Sequence, residues 1–377
     1  MPRSNRSQSA RFLFAGVVAL VCVFFHNDYA QAQGCVNARQ CTQMIDPQTV
    51  SRIDQHSAAG ESWLSPRRFE ISVDYRYLHS HRHFVGTDEQ EQRATARSEV
   101  NNIVHLFNVA VNYEVTPRFS IAATVPLFFA ERYGQSTPNN ATHASGVGDI
   151  SVVGRMWLLR PPVESRQNVS FGVGVKLPTG NKGATDTVNG VTRIVDQSIQ
   201  PGDGGYGLVL DFQGFKAVKS TLLFASGVYL LNPRVTNGVP TGRRPSEAIM
   251  SVADQYVYRA GALFPFPKVR NITWSMGIRG EGVPSTDLIG SSRGFRRPGY
   301  AISVEPGINV TKGKDRWSFS VPVAVRRNRT RSVPDILDNR HGDAAFADYV
   351  ILTSYSRRFS WVRGQKSEVR GQRSEVL

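Results

Sequence analysis

The stretch Phe69-Glu-Ile-Ser-Val-Asp-Tyr-Arg-Tyr77 alternates strictly between apolar and polar residues, with an apolar or aromatic residue at every odd position. Only a β-strand places such an alternation on two opposite faces, because successive side chains of a strand point to opposite sides. The same period recurs, with varying strength, along the rest of the chain. The segments are Phe107–Val115, Phe119–Phe129, Ile150–Leu158, Val169–Leu177, Leu208–Phe212, Leu222–Leu231, Tyr256–Phe264, Ile272–Ile278, Tyr300–Val310, Trp317–Val325 and Tyr349–Phe359. The sequence therefore predicts an all-β protein of about 12 strands.

The connections between these segments alternate in length. Short ones fall at Thr116–Arg118, Arg160–Asn168, Lys216–Ser220, Pro265–Asn271 and Thr311–Arg316. Long polar ones fall at His79–Asn102, Ala130–Val147, Thr179–Tyr206, Asn232–Ser251, Gly282–Gly299 and Thr330–Phe346. Transmembrane barrels have tight periplasmic turns and longer extracellular loops, so this alternation is typical of them. We predict an antiparallel up-and-down transmembrane β-barrel of the outer-membrane type over residues 67–359, with both ends on the periplasmic side.

The N-terminus has the features of a secretory signal peptide. Three arginines within residues 1–11 precede the apolar run Phe12–Phe25, and Ala30-Gln-Ala32 follows as a small-x-small cleavage site. We predict that residues 1–32 are removed. A lipoprotein anchored through Cys35 is the less favoured alternative, because Ala32-Gln-Gly34 is not an apolar-led lipobox.

Two flanking segments are predicted to lie outside the barrel. Residues 33–66 keep Cys35 and Cys41, an even number of cysteines in an oxidising compartment, so a local disulfide in a periplasmic segment is the default expectation. At the other end, Arg363–Val369 is repeated as Arg370–Val376. One apolar residue in seven cannot build a packed seam, so residues 360–377 are predicted to be a disordered repeat tail.

The formal net charge of +15 is spread along the whole chain and belongs to no basic helix or nucleic-acid motif. We therefore expect no nucleic acid as a partner. An anionic lipid surface, such as the outer membrane of a Gram-negative envelope, is the better match for this charge. The sequence leaves the oligomeric state open.

The energy of lipid exposure assigns the two faces of each strand. A charged side chain facing lipid at mid-bilayer costs roughly 2–4 kcal/mol, so the apolar faces are predicted to point outward and the charged faces inward. The predicted lumen-lining residues are Asp74, Arg76, Glu114, Asp149, Arg155, Lys176, Asp211, Arg259, Arg279, Glu281, Glu305 and Arg326. Their mixed signs favour salt-bridged ladders around a narrow aqueous or mixed-polarity channel, unless the N-terminal segment or a loop plugs it. Pro126 and Pro322 fall inside predicted strands and are expected to mark bulges.

Chemistry-bearing motifs are few. His79, His81 and His83 could form a metal site, but no carboxylate or cysteine stands at matching spacing, and solvated loop histidines are the favoured interpretation. His105 falls on the outer face without an evident serine partner, so an outer-membrane hydrolase is the weakest of the alternatives. We expect neither a cofactor nor catalytic residues.

Six short glycine- or proline-containing stretches occur in order between Arg68 and Phe359. They are Gly146-Val-Gly-Asp-Ile150, Gly172-Val-Gly-Val-Lys-Leu-Pro-Thr-Gly180, Gln200-Pro-Gly-Asp-Gly204, Arg297-Pro-Gly-Tyr300, Val304-Glu-Pro-Gly307 and Ser320-Val-Pro-Val-Ala-Val325. In this order they resemble the family linked to the MetA pathway of phenol degradation, which consists of outer-membrane proteins associated with uptake of small aromatic compounds. The resemblance implies a barrel with a transport role and brings no catalytic residues. The chain departs from such barrels in continuing beyond its last aromatic strand residue, Phe359.

These observations together predict an outer-membrane channel for the passive passage of small solutes, hydrophobic or aromatic ones among them. The alternative is a structural or adhesive surface barrel that acts through its extracellular loops.

Overall fold

The computed structural model describes residues 68–159, 165–267 and 269–360. The predicted signal peptide, the Cys35–Cys41 disulfide and the repeat tail lie outside the described residues. Twelve antiparallel strands close into a barrel, which confirms the predicted fold class. Two of these strands are interrupted, so each consists of two shorter ones. The barrel strands are β1 (Arg68–Val85), β3 (Val100–Glu114), β4 (Phe119–Gly134), β5 (Thr137–Val147) continued by β6 (Ser151–Trp157), β7 (Gln167–Lys176), β10 (Gly207–Val218), β11 (Thr221–Leu231), β14 (Gln255–Phe266), β15 (Val269–Val283), β16 (Gly299–Lys312), β17 (Asp315–Ser320) continued by β18 (Val323–Asn328), and β19 (Ala344–Ser360).

The barrel closes where β19 pairs with β1, in a register that runs from Arg68↔Ser360 to Phe84↔Ala344. We call the end of the barrel that contains Arg68 and Ser360 the turn end, and the opposite one the loop end. Each connection at the turn end is short. The loop end carries the tight turn between β4 and β5 and the long connections 86–99, 177–206, 232–254, 284–298 and 329–343.

Small elements lie within these long connections. They are β2 (Asp88–Glu89), α1 (Gln92–Thr95), β8 (Thr185–Val188), β9 (Val191–Ile194), β12 (Thr236–Pro240), β13 (Ile249–Ser251), α2 (Val333–Leu337) and two 3-10 turns at Gln197–Ile199 and Pro245–Glu247. Within the three described ranges, no helix is long and apolar enough to cross a membrane.

The two faces of the barrel wall follow the two-residue alternation. Along β1, Ile71 and Val73 are exposed on the outer face, whereas Arg76 and Leu78 are buried inside. The same contrast holds across the sheet, where the exposed large side chains of the strands are mostly apolar or aromatic. An apolar exterior around a polar interior is the arrangement that a bilayer requires of a barrel.

Strands at the loop end extend further than the sequence pattern predicts. The segment Ala130–Val147 is not a long loop, because β4 runs to Gly134 and β5 returns from Thr137. Similarly, β1 continues to Val85, so the three histidines of the first predicted loop belong to a strand. A strand that projects beyond the bilayer needs no apolar outer face, so its alternation of apolar and polar residues fades.

Pro126 lies opposite an interruption in the neighbouring strand, and Pro322 lies at an interruption of its own strand. Gly148, at the break between β5 and β6, donates its amide hydrogen to the carbonyl oxygen of Pro126 at 2.8 Å. Leu127 pairs with Val147 and Thr124 with Ser151, so two residues of β4 face three on the other strand. This extra residue is a β-bulge, and it exchanges the inward and outward positions between β5 and β6. Pro322 separates β17 from β18, because proline offers no amide hydrogen to the ladder. The register with β16 is the same on both sides of Pro322, so the bulge expected at this proline is wrong.

A second bulge corrects one sequence-based prediction. Ser303 of β16 pairs with Ala324, but the adjacent Ile302 pairs with Arg326, so Val325 is an extra residue. The alternation therefore shifts by one beyond this point. Arg326 pairs with Ile302, so its side chain lies on the outer face, where it is exposed. Its predicted position in the lumen is therefore wrong.

Part of the interior is filled by the long connection 177–206. Its residues Val195 and Ile199 are almost fully buried. They pack against inward side chains of the wall, which include Leu78, Val104, Leu106, Phe128 and Ala130. We call residues 177–206 the inserted loop, because it enters the barrel from the loop end.

Candidate functional site: the barrel interior

Five of the predicted charged residues form one network on the inner wall. Arg76 donates to both carboxylate oxygens of Glu281, at 3.0 and 2.6 Å. Arg279 donates to the same carboxylate at 2.9 Å. Arg259 donates to both oxygens of Glu305, at 3.0 and 2.6 Å, and Arg279 lies 4.0 Å from Glu305. Two carboxylates thus bind three guanidinium groups in a continuous ladder.

One of these contacts spans the lumen. Arg76 belongs to β1 and Glu281 to β15, and β16, the β17–β18 strand and β19 separate them in the sheet. A direct contact between them therefore bridges over those strands on the inside. The Arg76 side chain is 1% exposed and the Glu281 side chain 8%. The pair narrows the interior at this height.

A second ion pair lies on the opposite wall. Arg155 of β6 donates to Asp211 of β10 at 2.6 Å, although β7 lies between the two strands. Both residues pair with Gly172 of β7. A Cβ atom at Gly172 would lie 3.0 Å from Asp211 Oδ1, so glycine at this position leaves space for the pair to form.

Lys176 links the wall to the inserted loop. Its side chain is fully buried, its Nζ binds both carboxylate oxygens of Asp203, and it lies 3.7 Å from Asp149 Oδ2. Asp149 also accepts hydrogen bonds from the amides of Gly180, at 2.9 Å, and of Asp203, at 3.0 Å. Three of the glycine-containing stretches that carry the family resemblance thus meet at a single junction.

This junction yields a testable prediction. In Lys176→Met, Asp149 and Asp203 would face each other without a counter-charge, and removal of one partner of a buried ion pair costs about 3–5 kcal/mol. We expect the inserted loop to open, and tryptic cleavage at the exposed Arg193 to accelerate by at least about tenfold. Lys219→Met, at the exposed turn end, is the matched control and should cleave at the original rate. An unchanged rate in Lys176→Met would show that the lysine does not hold the loop.

The remaining predicted residues lie toward the turn end. Asp74 and Glu114 occupy inward positions of β1 and β3 and are half-buried. Glu114 lies 3.9 Å from Arg358. Arg358 in turn donates to Glu70 at 2.7 Å, and Arg316 donates to the same carboxylate at 3.3 Å.

Sequence reasoning missed this second carboxylate–guanidinium cluster. Glu70 and Arg358 stand at even, inward positions of strands that the alternation had already identified. The signal was therefore present in the pattern.

The inner side of the wall also carries packed apolar side chains. Inward positions of β6, β10, β11 and β14 form two clusters of buried apolar side chains. One contains Trp157, Phe215, Leu222 and Leu263, and the other contains Val153, Val209, Val228, Leu230 and Val257. A mixed-polarity inner wall results, with charged ladders and apolar patches at different positions around the barrel.

Aromatic residues form two bands on the outer face. Near the turn end, Phe69 stacks on Phe359 at 4.9 Å and Phe264 on Trp274 at 4.3 Å between ring centroids. Nearer the loop end, the rings of Tyr229, Tyr256 and Tyr258 stack in a row, at 6.4 and 6.2 Å. Amphipathic rings favour the two lipid–water boundaries, so these bands indicate where a bilayer would begin and end.

The histidines take structural roles in this arrangement. His105 Nδ1 is hydrogen-bonded to the hydroxyl of Tyr75 at 2.9 Å on the outer face, so its partner is a phenol and not a serine. His79 and His81 stack at 4.7 Å. Both ring nitrogens of His83 bind protein groups, Asp343 at 2.9 Å and the amide of Val100 at 3.0 Å. Across the described parts of the chain, no group of three or more metal-ligating side chains is placed to hold a metal ion.

A closed antiparallel barrel with an apolar exterior and a charged interior is the architecture of outer-membrane barrels. The chain has this fold. Its structure is similar to that of the COG4313 outer membrane channel from Pseudomonas putida F1, with a TM-score of 0.53, 12% sequence identity, and coverage of 80% of this chain and 98% of that one. It is also similar to the Pseudomonas putida toluene transporter TodX, with a TM-score of 0.37, 10% identity, and coverage of 87% of this chain and 96% of that one. A third similarity is to the translocator domain of autotransporter NalP from Neisseria meningitidis, with a TM-score of 0.39, 11% identity, and coverage of 83% of this chain and 94% of that one. By sequence, no family model and no curated protein matches the chain.

Proposed function

We propose that this protein is an outer-membrane channel for the passive passage of small solutes, hydrophobic or aromatic compounds among them. The observation that carries the proposal is the mixed polarity of the inner wall. The inside of the wall carries charged ladders such as Arg76–Glu281–Arg279 and also a packed apolar cluster around Trp157 and Phe215. A solute with a ring and a polar group would meet both surfaces along one path.

Two further points support this function. The first is the sequence resemblance to the family linked to the MetA pathway of phenol degradation, which stays a prediction. The second is barrel size, because twelve strands give a bore between the filled eight-stranded barrels and the open porins of sixteen or more strands. The proposed partners are the lipid bilayer and the solute, and the proposed location is the outer membrane. The twelve lumen-lining residues of the sequence prediction, apart from Arg326, are part of this proposal.

The second candidate is a surface barrel that acts through its loops. It is favoured by the inserted loop and by the Arg76–Glu281 pair, both of which reduce the open cross-section. In that case the ordered long connections at the loop end would carry the binding surface.

Single-channel recording in planar bilayers separates the two candidates. A channel should give stable unitary conductance steps, and removing the cross-lumen pair by Arg76→Ala with Glu281→Ala should increase their size. The matched control is Glu91→Ala, at the exposed residue that precedes helix α1, which should leave the steps unchanged. A bilayer that stays silent with folded protein, for both the parent chain and the widened variant, would contradict the channel and favour the surface barrel.

A further inference from the structure

Asp196 of the inserted loop lies within a cluster of three arginines. Arg297 donates to both of its carboxylate oxygens, each at 2.7 Å. Arg132 Nη2 lies 3.6 Å from Asp196 Oδ2, and Arg243 Nη2 lies 3.8 Å from the same oxygen. These three guanidinium groups come from three places in the fold, since Arg132 belongs to β4 and the other two to separate long connections. We call the three arginines and Asp196 the arginine cluster.

The cluster carries more positive than negative charge. The nearby acid Glu247 lies 2.5 Å from Arg340 and is therefore engaged elsewhere. Burial and the neighbouring Arg297 lower the pKa of Arg243. Burial alone would raise the pKa of Asp196, but the guanidinium groups of Arg132 and Arg297 outweigh it and hold that pKa well below its ordinary value. A site with these properties favours a carboxylate in its centre.

An aromatic ring completes the site. The guanidinium carbon atoms of Arg243 and Arg297 lie over the Phe295 ring, at 4.0 and 4.7 Å from its centroid. These contacts hold both guanidinium groups beside the carboxylate, on a ring that is itself 3% exposed. The Arg243 side chain is 41% exposed, so the cluster can be reached from solvent at the loop end.

Asp196 also belongs to the element that fills the interior. It begins the 3-10 turn Gln197–Ile199 by accepting hydrogen bonds from the amide and the hydroxyl of Ser198, at 3.0 and 2.9 Å. On its two sides, Val195 and Ile199 are inserted into the apolar cluster of the inner wall. The carboxylate that occupies the arginine cluster is therefore a second anchor of the inserted loop, beside the Lys176 junction.

We propose that the arginine cluster is a binding site for the carboxylate of a small aromatic solute, and that Asp196 occupies this site when the solute is absent. The solute's carboxylate replaces that of Asp196 on Arg297 and Arg243, and its ring stacks on the exposed guanidinium plane of Arg243. Loss of this second anchor releases the segment around Val195 and Ile199 from the interior, while the ends of the inserted loop stay bound at the Lys176 junction. The release step rests on the proposed channel function, whereas the binding step does not.

Binding of benzoate to the detergent-solubilised full-length protein, measured by isothermal titration calorimetry, tests the site. Benzyl alcohol serves as the neutral probe. Because Asp196 competes with benzoate, Asp196→Asn should bind benzoate about tenfold more tightly than the parent chain, the scale of one charge-assisted hydrogen-bond pair. Arg243→Gln should weaken benzoate binding by about tenfold or more, and benzyl alcohol should show neither effect.

Matched controls lie next to each altered residue. Arg244 is adjacent to Arg243, but it lies 3.6 Å from Asp338 and outside the cluster, so Arg244→Gln should bind benzoate as the parent chain does. Asp186→Asn neutralises another acid of the inserted loop and should also have no effect. Any of three results would overturn the proposal. Arg243→Gln and Arg244→Gln could weaken benzoate binding equally, Asp196→Asn could bind benzoate no more tightly than the parent chain, or phosphate could bind as tightly as benzoate. Heat-dependent gel mobility verifies that each variant is folded.

Conductance then separates this inference from the proposed function. We expect benzoate to increase the open fraction of the parent channel, and Asp196→Asn to raise the open fraction without benzoate by about tenfold. If folded protein shows the predicted calorimetric pattern but no variant conducts, the channel function fails and the binding site stands. If the parent chain conducts and benzoate changes neither binding nor opening as predicted, the site fails and the channel stands.

Discussion

Replacing Ile278 by arginine is expected to destabilise the folded barrel in lipid by about 2–4 kcal/mol, the cost of a charge on a lipid-facing strand near mid-bilayer. Ile278 lies in the middle of β15 and is 57% exposed on the outer face, where it pairs with Ala260 and Val304. In a water-soluble protein, an arginine at so exposed a position would have little effect, because surface substitutions usually change stability by less than about 0.5 kcal/mol.

Leu288→Arg is the matched control for this substitution. Leu288 is also apolar and is 67% exposed, but it lies in the connection 284–298 at the loop end. We expect this variant to keep the stability of the parent chain. The measurement is urea-induced unfolding in phospholipid vesicles, followed by tryptophan fluorescence. Equal stability of the two arginine variants would mean that lipid does not surround β15.

The substitution Glu281→Leu is expected to cost about 3–5 kcal/mol, because it leaves two buried guanidinium groups without their carboxylate. Arg76 and Arg279 both donate to Glu281, and all three side chains are buried on the inner side of the barrel. Removing one member of such a network is far more damaging than removing the network as a whole. The double variant Arg76→Met with Glu281→Leu should therefore recover part of the lost stability.

The same unfolding measurement applies to these variants, and the pair forms a double-mutant cycle. Glu91→Leu, at the exposed residue that precedes helix α1, is the control and should be as stable as the parent chain. If Glu281→Leu lowers the free energy of unfolding by less than about 1 kcal/mol, the Arg76–Glu281 pair contributes no more than a surface salt bridge does. The cross-lumen contact would then not constrain the barrel.

The alternation of apolar and polar residues was sufficient to predict the strands that cross the bilayer, because lipid on one side and water on the other impose it residue by residue. The charged residues Arg76, Arg279 and Glu281 were predicted on this ground and lie together inside the barrel. The β4–β5 hairpin was read as a loop because its outer part meets water on both faces. There the chemistry of the sequence no longer distinguishes a strand from a loop.

Three features could not be read from the pattern for separate physical reasons. The bulge at Val325 inserts one residue, and a period of two cannot reveal where its own phase changes. The Arg76–Glu281 contact joins strands that are distant in the sheet, and only closure of the barrel brings them together. The insertion of Ile199 depends on space inside the barrel, about which the inserted loop's own sequence says nothing.

Several of the sequence motifs gain a physical meaning from the structure. Gly180 and Gly202 approach each other closely where the inserted loop meets the wall. A Cβ atom added at Gly180 would lie 2.7 Å from the Cα atom of Gly202, so position 180 requires glycine. Thr179 closes the same junction by donating its hydroxyl to Gly148 at 2.8 Å. Three of the motifs therefore belong to one structural arrangement, which anchors the inserted loop beside the buried Lys176.

Extraction of the native protein from the cell envelope, followed by electrophoresis with and without boiling, tests the central claim most directly. The charged inner face and the apolar outer face are compatible only with a barrel surrounded by lipid. We expect the protein to leave the membrane fraction only with detergent, and the unboiled sample to migrate differently from the boiled one. A protein that is soluble without detergent and migrates identically in both samples would contradict this account.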